Sequence, residues 1–177
     1  DLARDIEGAL LRRVESDLAQ LAMHDQLTGL PNRRPLIDRL DALVHDQSVG
    51  DVSLLFVDLD GFKEINDTYG HDVGDAVITS VAQSILAATR AEDLVARLGG
   101  DEFVILCPGL SARDAVAAAG RVQAAVAAPL LIDGTTIVVT ASIGCASLDA
   151  SALGTGATDV AADLLRRADE AMYRAKD

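Results

Sequence analysis

A nine-residue run of mostly apolar residues, "VSLLFVDLD" (Val52–Asp60), constrains the fold more than any other stretch of the sequence. Apolar residues at nearly every position are typical of a strand that is covered on both faces. The run ends in two acids, Asp58 and Asp60. A chain of 177 residues, 50% of them hydrophobic, has enough apolar surface to build one domain around such a strand.

Apolar periodicity and turn residues place the other elements around this strand. Predicted helices cover 35–45, 62–69, 71–89, 111–128 and 158–176, strands cover 93–98, 102–107 and 139–148, a hairpin covers 130–139, and 149–157 is a loop. The order β-α-α-β-β-α-β is that of the split β-α-β plan of ferredoxin-like and polymerase-palm folds. We therefore expect an α+β domain in which the first strand lies beside the hairpin formed by the second and third.

That hairpin carries the segment "RLGGDEF" (Arg97–Phe103), in which two glycines form the turn and two acids follow. In the expected topology Asp58 and Asp60 approach Asp101 and Glu102. Clustered carboxylates repel one another unless a cation neutralises them, and Mg²⁺ prefers such oxygen ligands. The cluster predicts metal-assisted phosphoryl or nucleotidyl transfer on a nucleoside triphosphate. A solvated acidic turn is the alternative.

Residues after the first strand fit a nucleotide. Gly61 lets the backbone approach a phosphate at the start of a helix, and Lys63 adds a positive charge. Asn66 and Asp75 carry short polar side chains that suit a base edge, and a carboxylate acceptor matches the N1–H and N2–H₂ donors of guanine. Taken singly, each of these residues is more typical of a turn, a helix cap or a surface than of a binding site.

The overall charge limits the partners. With 28 acidic and 15 basic residues, the formal net charge is -13, and a field of that sign repels nucleic acids. An anionic small molecule remains compatible if divalent cations lie between it and the protein.

Cys107 and Cys145 both lie in apolar runs and are expected to be reduced core thiols. Since no run has transmembrane length or signal-peptide character, we expect no direct membrane contact.

The N-terminal residues, from 2 to about 24, are predicted to be helical. Leu11, Val14, Leu18 and Leu21 recur at spacings of three and four, as in a coiled-coil seam. A dimerising linker and an amphipathic helix docked on its own domain are both compatible with this pattern. We expect a linker over 1–22 and a globular domain over 23–177. Because the chain begins with Asp1 and not Met, we expect it to be the cytoplasmic part of a longer protein with sensory or downstream domains, either soluble or membrane-anchored.

Four separated motifs together resemble one family. They are "DQLTGLPNR", "FVDLDGFKEINDTYGHDVGD", "RLGGDEF" and "ADEAMYRAKD", and they span residues 22 to 177 in order. The sequence is similar to GGDEF-domain diguanylate cyclases. The resemblance implies a five-stranded, mostly antiparallel central sheet flanked by helices, akin to nucleotide cyclases and polymerase palms. It also implies a homodimer that condenses two GTP into cyclic di-GMP with release of pyrophosphate.

The resemblance assigns roles to residues at matching positions. The implied catalytic residues are Asp101, Glu102 and Lys63, with the proton acceptor not assigned between the two acids because they titrate together. The implied ligands of two Mg²⁺ or Mn²⁺ ions are Asp58, the Leu59 carbonyl, Asp101 and Glu102. The implied GTP-binding residues are Gly61, Phe62, Lys63 and Lys176 for phosphate, and Asn66 and Asp75, with His71 nearby, for guanine.

A product-inhibition site is also implied. Arg90 and Asp93 form an RxxD element ending six residues before Gly99, and Arg97 is expected to join it from the next strand. Two departures from the family pattern are a glycine at position 61, where some members have an aromatic residue, and the end of the chain before a further basic residue. A relative that binds GTP or cyclic di-GMP without turnover and regulates an attached domain is the main alternative. A cyclase for another nucleotide is a third.

Overall fold

The computed structural model describes residues 8, 10, 13, 22–153 and 159–176. Its named helices are α1 (Arg33–Val44), α2 (Phe62–Tyr69), α3 (His71–Ala88), α4 (Ala112–Val126) and α5 (Val160–Lys176), with a short 3₁₀ helix at Ala150–Ala152. Its strands are β1 (Val52–Asp60), β2 (Leu94–Gly99), β3 (Glu102–Pro108), β4 (Leu130–Ile132), β5 (Thr135–Ile137) and β6 (Thr140–Leu148).

Four of these strands form the central sheet, in the order β2-β3-β1-β6, and every neighbouring pair is antiparallel. The first strand therefore lies next to the hairpin, as the sequence predicts. The register places Asp58 opposite Glu102 on one side and opposite Ser142 on the other. A shift in register between Arg97 and Gly99 adjusts the β2–β3 pairing just before the glycine turn.

Each face of the sheet is covered by helices. Alternation along β1 sends Leu55, Val57 and Leu59 into one core, which α3 and α4 cover. The same alternation sends Leu54 and Phe56 into a second core, which α1 and α5 cover. Burial of both faces explains why β1 has so few polar residues before Asp58.

The α+β fold class and its antiparallel sheet are confirmed, but among the described residues the central sheet has four strands rather than five. The predicted hairpin over 130–139 exists as β4 and β5, which are three residues each and pair only with one another within the described chain. The coiled-coil pattern of Leu11, Val14, Leu18 and Leu21 lies outside the described residues, as do 154–157 of the predicted loop and 158, where the last helix is predicted to begin. No helix in the described part is long and apolar enough to cross a lipid bilayer.

The segment that precedes α1 is fastened to the sheet. Asp25 accepts hydrogen bonds from the backbone N–H and the hydroxyl of Thr28, at 2.8 and 2.6 Å, which closes a tight turn. The backbone N–H of Arg97 on β2 donates to the Pro31 carbonyl at 2.9 Å. The "DQLTGLPNR" motif is thus a structural connection between the chain's N-terminal part and the β2–β3 hairpin.

Helix α5 lies unusually close to β6. A Cβ atom added at Gly144 would overlap the backbone of Met172 and Ala168. Only glycine therefore permits this approach. This close approach brings the last residues of α5 to the end of β1.

Candidate active site

Three carboxylates lie where β1 ends beside the β2–β3 turn. The cross-strand pairing of Asp58 with Glu102 puts these two side chains on the same face of the sheet. Asp101 occupies the turn itself, and its carbonyl accepts a hydrogen bond from the Leu59 N–H at 3.3 Å. Sequence positions more than 40 residues apart are thereby brought to one edge, as the expected topology requires.

The acids perturb one another. The pKa of Asp101 is raised by burial and by the charge of Asp58. The pKa of Glu102 is raised by burial and then by Asp58, Asp101 and Asp169. Burial is the larger cause of both shifts, and the neighbouring carboxylates add to it.

Lys176, at the end of α5, supplies the cation that contacts the cluster. Its Nζ atom lies 2.6 Å from the Asp58 Oδ1 atom, and the Asp58 side chain is only 10% exposed. The hydrogen bond to Asp58 raises the pKa of Lys176. Sequence reasoning expected Lys176 near phosphate, and the structure places it against a predicted metal ligand.

The donor set suits a hard divalent cation. Asp58, Asp101, Glu102 and the Leu59 carbonyl offer only oxygen atoms, which Mg²⁺ and Mn²⁺ prefer, and the neighbouring carboxylates add to the burial that raises the pKa values of Asp101 and Glu102. Within the described residues, however, no three Asp, Glu, His or Cys side chains converge on one point. The side chains fit the metal in chemistry but are not preassembled around it.

Asp60 lies outside this cluster, although the sequence placed it with Asp58. Its two carboxylate oxygens accept hydrogen bonds from the hydroxyls of Thr140 and Ser142 on β6, at 2.7 and 2.8 Å. Its carboxylate is therefore hydrogen-bonded to the edge strand β6.

The predicted phosphate-binding residues lie at the start of α2. Gly61 is the N-cap residue and adopts a left-handed conformation, with φ of 67°, so a side chain there would be strained. Phe62 packs partly against the core, and Lys63 is exposed in the first helical turn. This helix begins directly after β1, next to the three acids.

The predicted guanine-binding residues lie on α2 and α3. Asn66 is half-buried, whereas His71 and Asp75 are exposed on the first turns of α3. In the part of the chain that the structure describes, the Asn66 amide and the Asp75 carboxylate bond no other side chain. Gly74, which sequence reasoning did not identify, lies directly beneath Asn66.

The RxxD element forms a closed ion pair. Asp93 accepts hydrogen bonds from the Arg90 backbone N–H at 2.8 Å and from the Arg90 guanidinium, whose NH2 atom lies at 2.7 Å and also donates to the Pro108 carbonyl. Burial and the neighbouring charge of Asp93 raise the pKa of the Cys107 thiol to about 12. Cys107 and Cys145 are both free.

Arg97 has other partners. Its guanidinium donates to both Asp25 oxygens at 2.9 Å and to the Gly100 carbonyl at 2.7 Å. Among the described contacts none joins it to Arg90 or Asp93, so its expected part in product binding remains a prediction. In this structure it fastens the N-terminal turn to the glycine turn, a contact that the sequence analysis did not predict.

An antiparallel sheet with helices on both faces, and carboxylates gathered where its first strand meets a glycine hairpin, places this chain in the class of palm-like, nucleotide-cyclase-like α+β domains. Comparison with known proteins narrows that class. The family described as "Diguanylate cyclase, GGDEF domain" matches residues 22–177. The chain belongs to this family.

Individual relatives agree with this family assignment. The chain is 44% identical over 172 residues to diguanylate cyclase TpbB of Pseudomonas aeruginosa, covering 95% of this chain and 38% of that protein. It is 43% identical over 170 residues to the bifunctional diguanylate cyclase/cyclic di-GMP phosphodiesterase MucR of the same species, covering 94% of this chain and 24% of that protein. It therefore spans well under half the length of these relatives.

One solved structure extends over nearly the whole chain. The coiled coil and GGDEF domain of DgcB from Caulobacter crescentus, in complex with c-di-GMP, superposes with a TM-score of 0.82 at 28% identity, covering 99% of this chain and 91% of that one.

Proposed function

We propose that this chain is the catalytic domain of a diguanylate cyclase, which condenses two GTP molecules into cyclic di-GMP and releases pyrophosphate. The observation that carries the proposal is the complete set of three carboxylates, Asp58, Asp101 and Glu102, at the edge where β1 meets the glycine turn. Carboxylates held together in this way cost stability, and such perturbed groups are typical of catalytic sites.

The residues divide the chemistry among them. In each condensation the 3′ oxygen of one GTP forms a bond to the α-phosphorus of the other, as the bond from that phosphorus to pyrophosphate breaks. Asp101 or Glu102 would accept the proton of the 3′ hydroxyl, because a raised pKa makes a carboxylate a better base. Asp58, Asp101, Glu102 and the Leu59 carbonyl would hold Mg²⁺ or Mn²⁺, two ions per site. Bound divalent cations offset the charge of the triphosphate and favour ionisation of the hydroxyl.

The remaining residues bind the substrate. The α2 N-terminus at Gly61 and Phe62 presents backbone N–H groups to phosphate, and Lys63 and Lys176 add positive charge. Asn66 and Asp75, with His71 nearby, read guanine. Adenine carries an acceptor at N1 where guanine has a donor, so an adenine nucleotide would leave Asp75 facing an acceptor.

The proposal extends to assembly and control. One domain holds one GTP, so catalysis requires a homodimer, which the linker over 1–22 would bring together. GTP as substrate implies a cytoplasmic position for the domain, within a longer protein. Arg90 and Asp93, with Arg97, would bind cyclic di-GMP and inhibit the enzyme, since arginine grips phosphate and stacks on guanine. In that event the Arg90–Asp93 pair must open to admit the product.

Product analysis tests the proposal. Concentrated protein is incubated with GTP and Mg²⁺, the products are separated by chromatography, and light scattering records the association state of the same sample. We expect cyclic di-GMP from the dimer, no product from Asp101→Ala, and normal product from Asp38→Asn, an exposed acid on α1 that serves as the matched control. A dimer that binds GTP without converting it would instead indicate a regulatory binding module.

A second assay tests the control site. The rate is measured against added cyclic di-GMP, and Arg90→Ala is expected to raise the half-inhibitory concentration at least about tenfold, since it removes a charged hydrogen-bonding group. Equal inhibition of the variant and the parent would remove Arg90 from the proposed product site.

A further inference from the structure

Gly74 lies at the fourth position of α3, where the helix crosses α2. It is buried, and a Cβ atom built on it would overlap Asn66 Oδ1, lie 2.9 Å from Asn66 Cγ and 3.4 Å from Phe62 Cζ. No side chain larger than hydrogen fits at position 74 while the Asn66 amide stays where it is.

The backbone gives no separate reason for this glycine. Gly70, just before α3, has φ of 88° and requires glycine on conformational grounds, whereas Gly74 has ordinary helical geometry that alanine adopts readily. A glycine inside a helix lowers helix stability relative to alanine. The close approach of the Asn66 side chain is therefore what Gly74 provides.

The same contact fixes one side chain relative to another. Asn66 projects from α2, and Asp75 follows Gly74 directly on α3. Because the Asn66 amide rests on the Gly74 backbone, its position relative to Asp75 depends on the distance between the two helices at this crossing. The amide bonds no other side chain of the described chain, so packing alone holds it in place.

We infer that Gly74 is a positioning residue for base recognition: it seats the Asn66 amide at the depth and orientation that, with Asp75, discriminate guanine from adenine. This inference rests on the proposed function, in which Asn66 and Asp75 read the base. Displacing the amide by the width of a methyl group would move its donor and acceptor out of hydrogen-bonding range. Nucleotide preference should fall even though residue 74 itself touches no base.

The test measures binding without turnover. 3′-Deoxy-GTP and 3′-deoxy-ATP lack the attacking hydroxyl, so their dissociation constants are measured at equilibrium by calorimetry. The variants are Gly74→Ala, Asn66→Ala, the double variant and the matched control Gly120→Ala. Gly120 is also a helix-interior glycine, on α4, but a Cβ atom there would meet nothing within 4 Å.

We expect Gly74→Ala to reduce the preference for the guanine nucleotide about tenfold, as expected for loss of one hydrogen bond. Asn66→Ala should reduce it equally, and the double variant should lose no more than either single one, because both changes remove the same interaction. Gly120→Ala should keep the full preference. The melting temperature should fall in Gly74→Ala and recover in the double variant, where the overlapping amide is absent.

Two negative results distinguish failure of the proposed function from failure of the role of Gly74. If the parent chain shows no preference for the guanine nucleotide, the proposed function and the specificity role fail together. If the parent prefers guanine and Gly74→Ala keeps that preference, only the role of Gly74 fails. Losses that multiply in the double variant would likewise overturn it, because they would show independent effects. Should Gly74→Ala not fold while the double variant does, the steric part of the inference is upheld.

Discussion

Asp58 and Asp93 are both buried aspartates paired with a basic residue, but their surroundings differ. The Asp93 side chain is 5% exposed, and both of its oxygens accept hydrogen bonds from Arg90, through the backbone N–H and the guanidinium. The Asp58 side chain is 10% exposed and contacts one Lys176 Nζ atom, while Asp101 and Glu102 carry further negative charge nearby.

The difference is between a carboxylate whose charge is balanced by its neighbours and one whose charge is not. At Asp93 charge and hydrogen bonding are balanced within four consecutive residues, so the pair stabilises the turn before β2. At Asp58 one lysine contacts a cluster of three acids, an arrangement that costs stability and that added cations or protons relieve. The same chemical substitution should therefore have opposite consequences at the two positions.

Asp58→Asn should have the largest effect on activity. Removing one charged ligand from the cluster should lower the rate of cyclic di-GMP formation about 10²–10³-fold. The unfolding free energy should change little, because the variant loses an exposed lysine's ion pair but also loses repulsion from Asp101 and Glu102. Initial rates and urea denaturation on the same preparation measure both quantities.

The matched control is Asp60→Asn, two residues along the same strand. Its oxygens bond Thr140 and Ser142 and not the acids of the cluster, so the rate should stay within a few-fold of the parent. Equal losses at positions 58 and 60 would contradict the separation of the two acids.

Asp93→Asn should lower the free energy of unfolding. Both carboxylate oxygens accept N–H groups, so the amide that replaces one oxygen must turn its own N–H groups toward a donor of Arg90. An unsatisfied buried donor costs about 1–3 kcal/mol, and we expect that loss in the unfolding free energy measured by urea denaturation.

Glu92→Gln is the control for this variant. Glu92 lies 3.3 Å from the same guanidinium but its side chain is 57% exposed, so its loss should cost less than about 0.5 kcal/mol. If both variants are equally stable, the Arg90–Asp93 pair is not what holds the turn.

Lys176→Met examines the lysine that contacts Asp58. Without nucleotide, Lys176 competes with a metal ion for Asp58, so its removal should tighten Mn²⁺ binding about three- to tenfold, the range for one lost hydrogen bond. Titration followed by electron paramagnetic resonance measures this. Lys63→Met, which removes an exposed lysine of α2, should leave Mn²⁺ affinity unchanged. Weaker Mn²⁺ binding in Lys176→Met would show that the lysine supports the metal site.

The sequence predicted those parts of the site that depend on strand order. The buried run of Val52–Asp60 and the glycine turn were sufficient to bring Asp58 together with Asp101 and Glu102, since antiparallel neighbours place such ends at one edge. This part of the site follows from periodicity and strand order. The Arg90–Asp93 ion pair does not, because the resemblance assigned both residues to a product site and no pairing between them was predicted.

Features that depend on how closely elements pack were not predicted. Gly74 and Gly144 matter because of a side chain or a helix backbone that approaches from another element, and an isolated glycine in the sequence does not indicate what approaches it. Arg97 was assigned to the product site by resemblance, yet it bonds Asp25, 72 residues away. The count of five strands was not confirmed, because among the described residues β4 and β5 pair only with one another.

The smallest expected effect concerns pH and the excess charge of the cluster. The pKa of Glu102 is raised above its ordinary 4.5 in the folded protein, by burial and by Asp58 and Asp101, so folding favours its protonated form. The stabilising contribution of that proton is present at low pH and is lost as pH rises through the raised pKa. Glu102→Gln should therefore raise the melting temperature by roughly 1–3 °C at pH 7, and the gain should fade as pH falls toward 4.

Glu64→Gln, at an exposed glutamate of α2, should show no such pH-dependent gain. Calorimetric melting of the metal-free protein from pH 4 to 8 measures the difference, and a lower melting temperature for Glu102→Gln at neutral pH would show that Glu102, like Asp93, is a balanced structural acid.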